Sequence, residues 1–373
     1  MNVADTRLCL LLHSITHLDD LSLGRLLLHF GSPRALWESP PEEWQSLDLP
    51  ARAVGALARA RQRGTGDPGI DTAAQLQVLE SCGARVLPLT DTRYPALLRT
   101  IHDPPPLLYV RGDHTALEAA QLAIVGSRKA SPAGLRAAAT LAGEAAAAGL
   151  SVCSGLALGI DGAAHRGALA AGGRSMAVLA TGIDRIYPVR HTRLASELAQ
   201  CGCLVSEFPP GVPPLRQNFP RRNRLISGLS LGVVLVEAAL PSGSLITAGT
   251  ALEQGREVFA LPWSVFHQGG AGCLRLIRDG ARMVESIEDI LAELEPLYRA
   301  QQALCGADSR NSAGNSQCRE QDQEILALVG FEAVSADELV QASGRPMAEV
   351  LAKLSALELQ GSVARCPGGY IRL

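Results

Sequence analysis

From Gln121 onward the chain alternates apolar runs of strand length with glycine-bearing turns and Ala/Leu-rich stretches of helical length. The runs are QLAIVG, LSVCSG, SMAVLA, CLVSEF, LGVVLVEA, EVFALP and ARMVE. They are nearly continuous in apolar residues, as strands covered on both faces are, and they predict a doubly wound α/β domain with a mainly parallel sheet. Before it, residues 1 to about 63 predict short helices over 8–12, 21–30, 33–37 and 41–47, with Leu23, Leu26, Leu27 and Phe30 on one apolar face. The break GTGDPG at 64–69 closes that unit. A helix over 72–81 follows, then a strand ARVLPL and the segment DPPPLLYVRGD, whose triple proline must be extended. After IEDILAELEPL, residues 299–320 are polar, small and non-periodic, and predict a linker. The helical stretches QEILALVG, SADELVQAS and PMAEVLAKLSALELQG and a hairpin in VARCPGGYIRL then make the three-helix arrangement of a winged helix. The expected boundaries are a helical unit over 1–66, the α/β domain over 67–298, the linker over 299–320 and the winged helix over 321–373.

The length of 373 residues agrees with two to three domains. Acids and bases nearly balance, and the net charge of −3 argues against nucleic-acid binding over the whole surface, so any such site must be local. Of the 34 basic residues only Lys129 and Lys353 are lysines, and neither follows a glycine, which excludes the usual phosphate-loop ATPase. The nine cysteines show no C-x-x-C and no matched histidine spacing, so neither a zinc site nor a disulfide framework is indicated. The N-terminal apolar run is interrupted by His13 and followed by acids, and no apolar stretch reaches the roughly 18 residues of a membrane span. The expectation is a cytoplasmic protein with reduced thiols.

Four turns carry candidate chemistry. In AIVGSRKASPAG, Gly126 and Ser127 end a strand, Ser131 and Pro132 begin a helix, and Arg128 and Lys129 add charge where a helix N-terminus favours an anion. SGLALGIDGAAHRGAL repeats the logic with Ser154, Gly155 and Gly159. Asp161 there suits a capping role, and a hydrogen-bonded structural role fits His165 better than proton transfer. In PPLRQNFPRRNRLISGLS, Arg216, Arg221, Arg222 and Arg224 surround Phe219 and Asn223 without an acid. Taken as a proline-bounded loop, this run offers bidentate donors for phosphates and a ring on which a base stacks, the needs of single-stranded nucleic acid. Finally, Ser242, Gly243, Ser244 and Thr247 after LGVVLVEA are a further candidate phosphate cradle. Glu207 and Glu237 at strand ends could hold a metal, but carboxylates so placed are usually satisfied by neighbouring N–H groups.

Taken in order, VGSRKAS, SGLALGIDGAAHRGAL, FPRRNRLISGLS, SGSLITAGTALEQGREVFALP and GCLRLIRDGA resemble the DNA-processing protein A (DprA/Smf) family over about residues 70–298. The resemblance extends more loosely to a sterile-alpha-motif-like N-terminal segment and a C-terminal winged helix. It implies an extended Rossmann fold that binds single-stranded DNA without sequence preference, protects incoming DNA during natural transformation and loads the RecA recombinase, usually as a dimer. It also implies that Arg128, Arg216, Phe219, Arg222, Asn223, Arg224 and the Ser242, Gly243, Ser244 turn contact DNA. One departure is Pro262-Trp263 where the family has Pro-Gly, so the local turn is expected to differ.

The leading expectation is therefore a non-enzymatic single-strand binder and recombinase mediator that needs no cofactor and no metal. An enzymatic alternative is a nucleotide phosphoribohydrolase of the lysine-decarboxylase-like kind, with Glu253 of SGSLITAGTALEQ in its catalytic pattern. A nuclease-like site of Glu207, Glu237 and Asp161 has less support, because their spacing defines no metal triad. The winged helix carries four bases against seven acids, so it fits a protein partner at least as well as DNA.

Overall fold

The computed structural model describes residues 3–295, apart from 46 and 68, and in the C-terminal part 334–343, 347, 350, 354, 363–366 and 369–372. The chain forms two compact units, Met1–Arg299 and Ala300–Leu373.

The first unit begins with five helices: α1 (Val3–His13), α2 (Asp20–Phe30), α3 (Pro33–Glu38), α4 (Pro41–Gln45) and α5 (Ala51–Arg63). Their ends follow the chemistry of orphan backbone groups. The Asp19 carboxylate accepts the Ser22 N–H at the start of α2, Ser32 and Pro33 open α3, and left-handed Gly31 and Gly64 close α2 and α5. Helix α5 has no announcement in the apolar spacing, because its inner face is mostly small: Ala53, Ala56, Leu57 and Ala60. Leu23, Leu26 and Leu27 are fully buried.

After α6 (Thr72–Cys82) comes a nine-stranded sheet of order β1-β2-β6-β5-β4-β3-β7-β8-β9. Strand β1 (Ala84–Pro88) pairs antiparallel with β2 (Leu107–Gly112), and β2 antiparallel with β6 (Cys203–Ser206); the short α7 (Ala96–Arg99) lies between β1 and β2 in sequence. The LLYVRG segment is thus a strand rather than only an extended connection. The other seven, β3 (Gln121–Val125), β4 (Ser151–Ser154), β5 (Ser175–Val178), β6, β7 (Gly232–Leu235), β8 (Glu257–Ala260) and β9 (Arg282–Met283), run parallel.

Successive residues of a strand face opposite sides, so each central strand feeds two cores. Leu122, Ile124, Val152 and Val234 pack against α8 (Pro132–Ala147) and α9 (Ile160–Ala170). Ala123, Val125, Val233 and Leu235 pack against α11 (Asn218–Leu229), α12 (Gly243–Glu253) and α13 (Ala271–Arg278). A third cluster runs without a break from Leu10, Leu27, Trp44 and Leu57 of the N-terminal helices to Val86, Tyr109 and Leu204 of the sheet and Leu198 of α10 (Thr192–Cys201). The chain winds outward from β3 to β6 on one side, then crosses back through α11 to β7 beside β3. This reversal leaves a crevice at the carboxyl ends of the central strands.

In the second unit, α14 (Ala336–Ser343) opens on a capping box: the Ser335 Oγ accepts the Glu338 N–H, and the Glu338 carboxylate accepts the Ser335 N–H at 2.8 Å. Val363–Cys366 pairs antiparallel with Gly369–Arg372, and Val334 bridges to Tyr370. Among its described residues Leu339, Val350 and Leu354 are buried together. The expected linker and the helix expected in QEILALVG lie outside the described residues. Among the described residues no helix is long and apolar enough to cross a membrane.

Candidate nucleic-acid interface

A cavity of about 790 Å³ opens at the crevice, lined from five successive crossovers of the sheet. Gly126, Ser127 and Arg128 reach it from the turn after β3, Arg216, Phe219, Arg222 and Asn223 from the β6–β7 crossover, and Ser242, Gly243 and Ser244 from the turn after β7. Lys129, Ser154, Gly155, Arg221 and Arg224 do not line it.

The arginine run is a helix, not a loop. Asn218 to Leu229 is α11, and Pro220 sits in its first turn, where the missing N–H costs no intrahelical bond. Helical geometry then sorts the four arginines. Arg222, Leu225, Ile226 and Leu229 share the buried face, and the Arg222 guanidinium donates to the carbonyls of Gly155, at 2.7 Å, and Val178. A Cβ on Gly155 would lie 2.5 Å from that guanidinium, so only glycine lets it in. Burial pushes Arg222 down to about 10, against the pull of the Asp161 carboxylate. Arg221 pairs with Asp20 of α2 and with Glu207, at 3.2 Å. Arg224 pairs with the same Glu207 and with Asp103 at 3.2 Å. Burial raises the Glu207 carboxyl, while Arg224 and Arg221 oppose the rise. Arg216 lies before the helix, exposed and without an ion pair among the described residues.

The turn after β3 also differs from a bare anion cradle. A carboxylate of the protein already fills the N-terminus of α8: Glu237 accepts the Ser131 N–H at 3.1 Å and the Ser131 hydroxyl at 2.7 Å, while Ser131 Oγ accepts the Gly134 N–H at 3.0 Å. The Ser127 N–H donates to the Glu237 carbonyl at 2.7 Å, and the Lys129 N–H to the Ser127 hydroxyl at 3.1 Å. What the turn offers outward is side chains. Arg128 and Lys129 are both exposed, and the Arg128 guanidinium stands over the Phe219 ring, 5.2 Å from its centroid. The turn after β7 keeps its opening: Ser242 caps α12, its hydroxyl 2.7 Å from that of Ser244, and the helix start faces the cavity.

The second turn is mostly internal, with Ala157 and Asp161 reaching the cavity wall. The fully buried Ser154 hydroxyl donates to the Ile124 carbonyl at 2.6 Å. Asp161 accepts the N–H groups of Gly155 and Ala157, at 3.1 and 3.2 Å, instead of capping its own helix. Burial raises its carboxyl, and Arg222 pulls it back. His165 is fully buried, its Nδ1 2.7 Å from the Ser175 hydroxyl, and burial holds it down to about 3. That is the hydrogen-bonded role its setting suggested. Glu207 and Glu237 are spent on arginines and on Ser131, and among the described residues no cluster of acids, histidines and cysteines could hold a metal. Glu253, needed by the phosphoribohydrolase alternative, is exposed at the end of α12 opposite the cavity, about 15 Å along the axis from Gly243.

Trp263 takes no left-handed backbone conformation. Its indole N–H donates to the Val236 carbonyl at 2.7 Å and its ring stacks on His267, centroids 4.4 Å apart, so the turn after β8 is built around the indole. Sequence reasoning missed Tyr187, which lines the cavity and meets Phe219 edge to face at 5.8 Å. It lies 32 residues upstream of Phe219 without a basic neighbourhood of the same density, and only the fold brings the two together.

Comparison with known proteins places these features in company. Residues 85–295 match the family described as "DNA recombination-mediator protein A", and residues 313–369 match the "DprA winged helix domain". Protein Smf of Escherichia coli is 45% identical over 322 residues, 86% of either chain. The DNA processing protein DprA of Bacillus subtilis is 44% identical over 213 residues, 57% of this chain and 72% of that one. The crystal structure of DprA from Streptococcus pneumoniae superposes with a TM-score of 0.67 at 33% identity, covering 79% of this chain and 99% of that one. DNA processing protein A from Helicobacter pylori, described for its single-stranded DNA binding mode, superposes at 0.52 with 30% identity, covering 58% and 97%.

Proposed function

The chain belongs to the DNA recombination-mediator protein A family, and from that membership we propose that it binds single-stranded DNA in the cleft above the carboxyl ends of β3 and β7. The observation that carries this reading is the convergence of unpaired cations, an aromatic ring and an open helix start on one cavity from three separate crossovers. Arg128 and Arg216 take phosphates, with Lys129 close by. Phe219 stacks a base, and the Ser242, Gly243, Ser244 turn holds a phosphate on the α12 N-terminus. None of these contacts reads a base edge, so binding is indifferent to sequence. Arg222, Ser154 and Gly155 support the floor of the cleft, Asn223 lines it beside Phe219, and Arg221 and Arg224 set the stance of α11 through their ion pairs.

The protein works without catalysis and without a cofactor: it shields a single strand, passes it to the RecA recombinase as a homodimer in the cytoplasm, and so serves natural transformation. The description of the Helicobacter pylori relative by its single-stranded DNA binding supports the substrate class. The test is a gel shift with single- and double-stranded oligonucleotides on the full chain and on a version ending at residue 298. Equal preference for single strands by both proteins is the expected result. Loss of single-strand binding on truncation rejects the α/β unit as the site.

A further inference from the structure

The cleft has a second aromatic wall. Tyr187 lies between β5 and the helical turn Val189–His191, lines the cavity, and is 47% exposed. Among the described residues Tyr187 and Phe266 are the two exposed aromatic side chains, and only Tyr187 lines the cleft. Phe219 is half-buried, with Arg128 against one face of its ring. The more open ring surface in the cleft therefore belongs to Tyr187. A lone exposed tyrosine is ordinary surface. This one stands in a cavity with free cations beside another ring, the combination that single-stranded nucleic acid requires.

We propose that Tyr187 is a second base platform, so that the cleft takes two successive bases of one strand, one on Phe219 and the next on Tyr187. This rests on the single-strand reading of the cleft. The two ring planes are inclined by 68°, so bases lying on both cannot remain stacked on each other. The strand turns between these two nucleotides, and the cleft holds it unstacked.

The experiment uses the full chain and oligo-dT carrying a single 5-iodouracil, which photocrosslinks to aromatic side chains in contact with it. Mass spectrometry of the adducts is expected to find both Tyr187 and Phe219. Tyr187→Leu is expected to weaken oligo-dT binding about tenfold, within the range for one lost base stack, with the slope of log affinity against log salt unchanged because no charge is removed. Tyr187→Phe, which keeps the ring, should bind as the unaltered chain does. Crosslinks to Phe219 alone, with Tyr187→Leu binding at full strength, overturn the second platform and leave the cleft reading standing. No crosslink to either ring, with Arg216→Ala also at full strength, rejects the cleft reading itself and the platform with it.

Discussion

The guanidinium of Arg128 sits 5.2 Å from the centroid of the Phe219 ring, joining the turn after β3 to the first turn of α11 across the mouth of the cleft. A cation over an aromatic face is worth about 0.5–1 kcal/mol at an exposed site and more when desolvated. A base stacking on the occupied face must displace Arg128, and a phosphate can receive it. The two residues should therefore be coupled in binding. In a double-mutant cycle, Arg128→Ala and Phe219→Ala each weaken oligo-dT binding, and the double variant departs from additivity by about 0.5 kcal/mol or more, as fluorescence anisotropy can measure. Strict additivity would mean that the contact plays no part in holding DNA.

Arg216 and Arg222 separate two kinds of arginine. Arg216→Ala should lower the slope of log affinity against log salt by about 0.7 and leave the melting temperature unchanged. Arg222→Met strips the donor from the buried carbonyls of Gly155 and Val178 and should cost about 3 kcal/mol of stability in urea titrations. Its folded fraction should keep the salt slope of the unaltered chain.

Glu237 fills the N-terminus of α8. Glu237→Ala should destabilise the protein by about 1–2 kcal/mol and leave that helix start open to an external anion. Sulfate should then raise the melting temperature of the variant more than that of the unaltered chain. An equal rise in both would show that the carboxylate does not hold the site against anions.

His165 makes stability fall in mild acid. Its folded value of about 3 lies below its ordinary 6.5, so between these values the unfolded chain binds a proton that the folded chain refuses. Stability is fully present above about 6.5 and declines as the pH falls towards 3. In His165→Gln the decline over this window should be shallower, read from urea midpoints at pH 7 and pH 5.

The central sheet was legible because strands buried on both faces leave apolar runs of strand length, and here glycine-bearing turns and helical stretches separate them in strict alternation. The arginine run was harder. Pro220 and the flanking prolines suggested a loop, yet Arg222, Leu225, Ile226 and Leu229 have the i, i+3, i+4, i+7 spacing of one helical face. That spacing is the signal that puts Arg222 on the buried face, and the loop reading passed over it. The pairing of Arg221 and Arg224 with Glu207, Asp20 and Asp103 lay beyond sequence reasoning, because the partners come from distant segments. Tyr187 escaped for the same reason. The α8 helix start was readable as an anion site, but the identity of the anion was not: Glu237 is 106 residues from Ser131 in sequence.

The unbroken core between the N-terminal helices and the sheet makes those helices part of the frame. A chain started at Gln121 would lose Asp20 as a counter-charge to Arg221 and uncover the part of Ala177, Leu179 and Leu204 that packs in one cluster with the N-terminal helices and β1 and β2. The flank of α11 would turn net positive while the sheet below it became sticky. Such a fragment would hold nucleic acid more tightly and less discriminately, and it would aggregate. The helical layer thus keeps α11 electrically quiet on one side, so that attraction for a strand is confined to the side that faces the cleft.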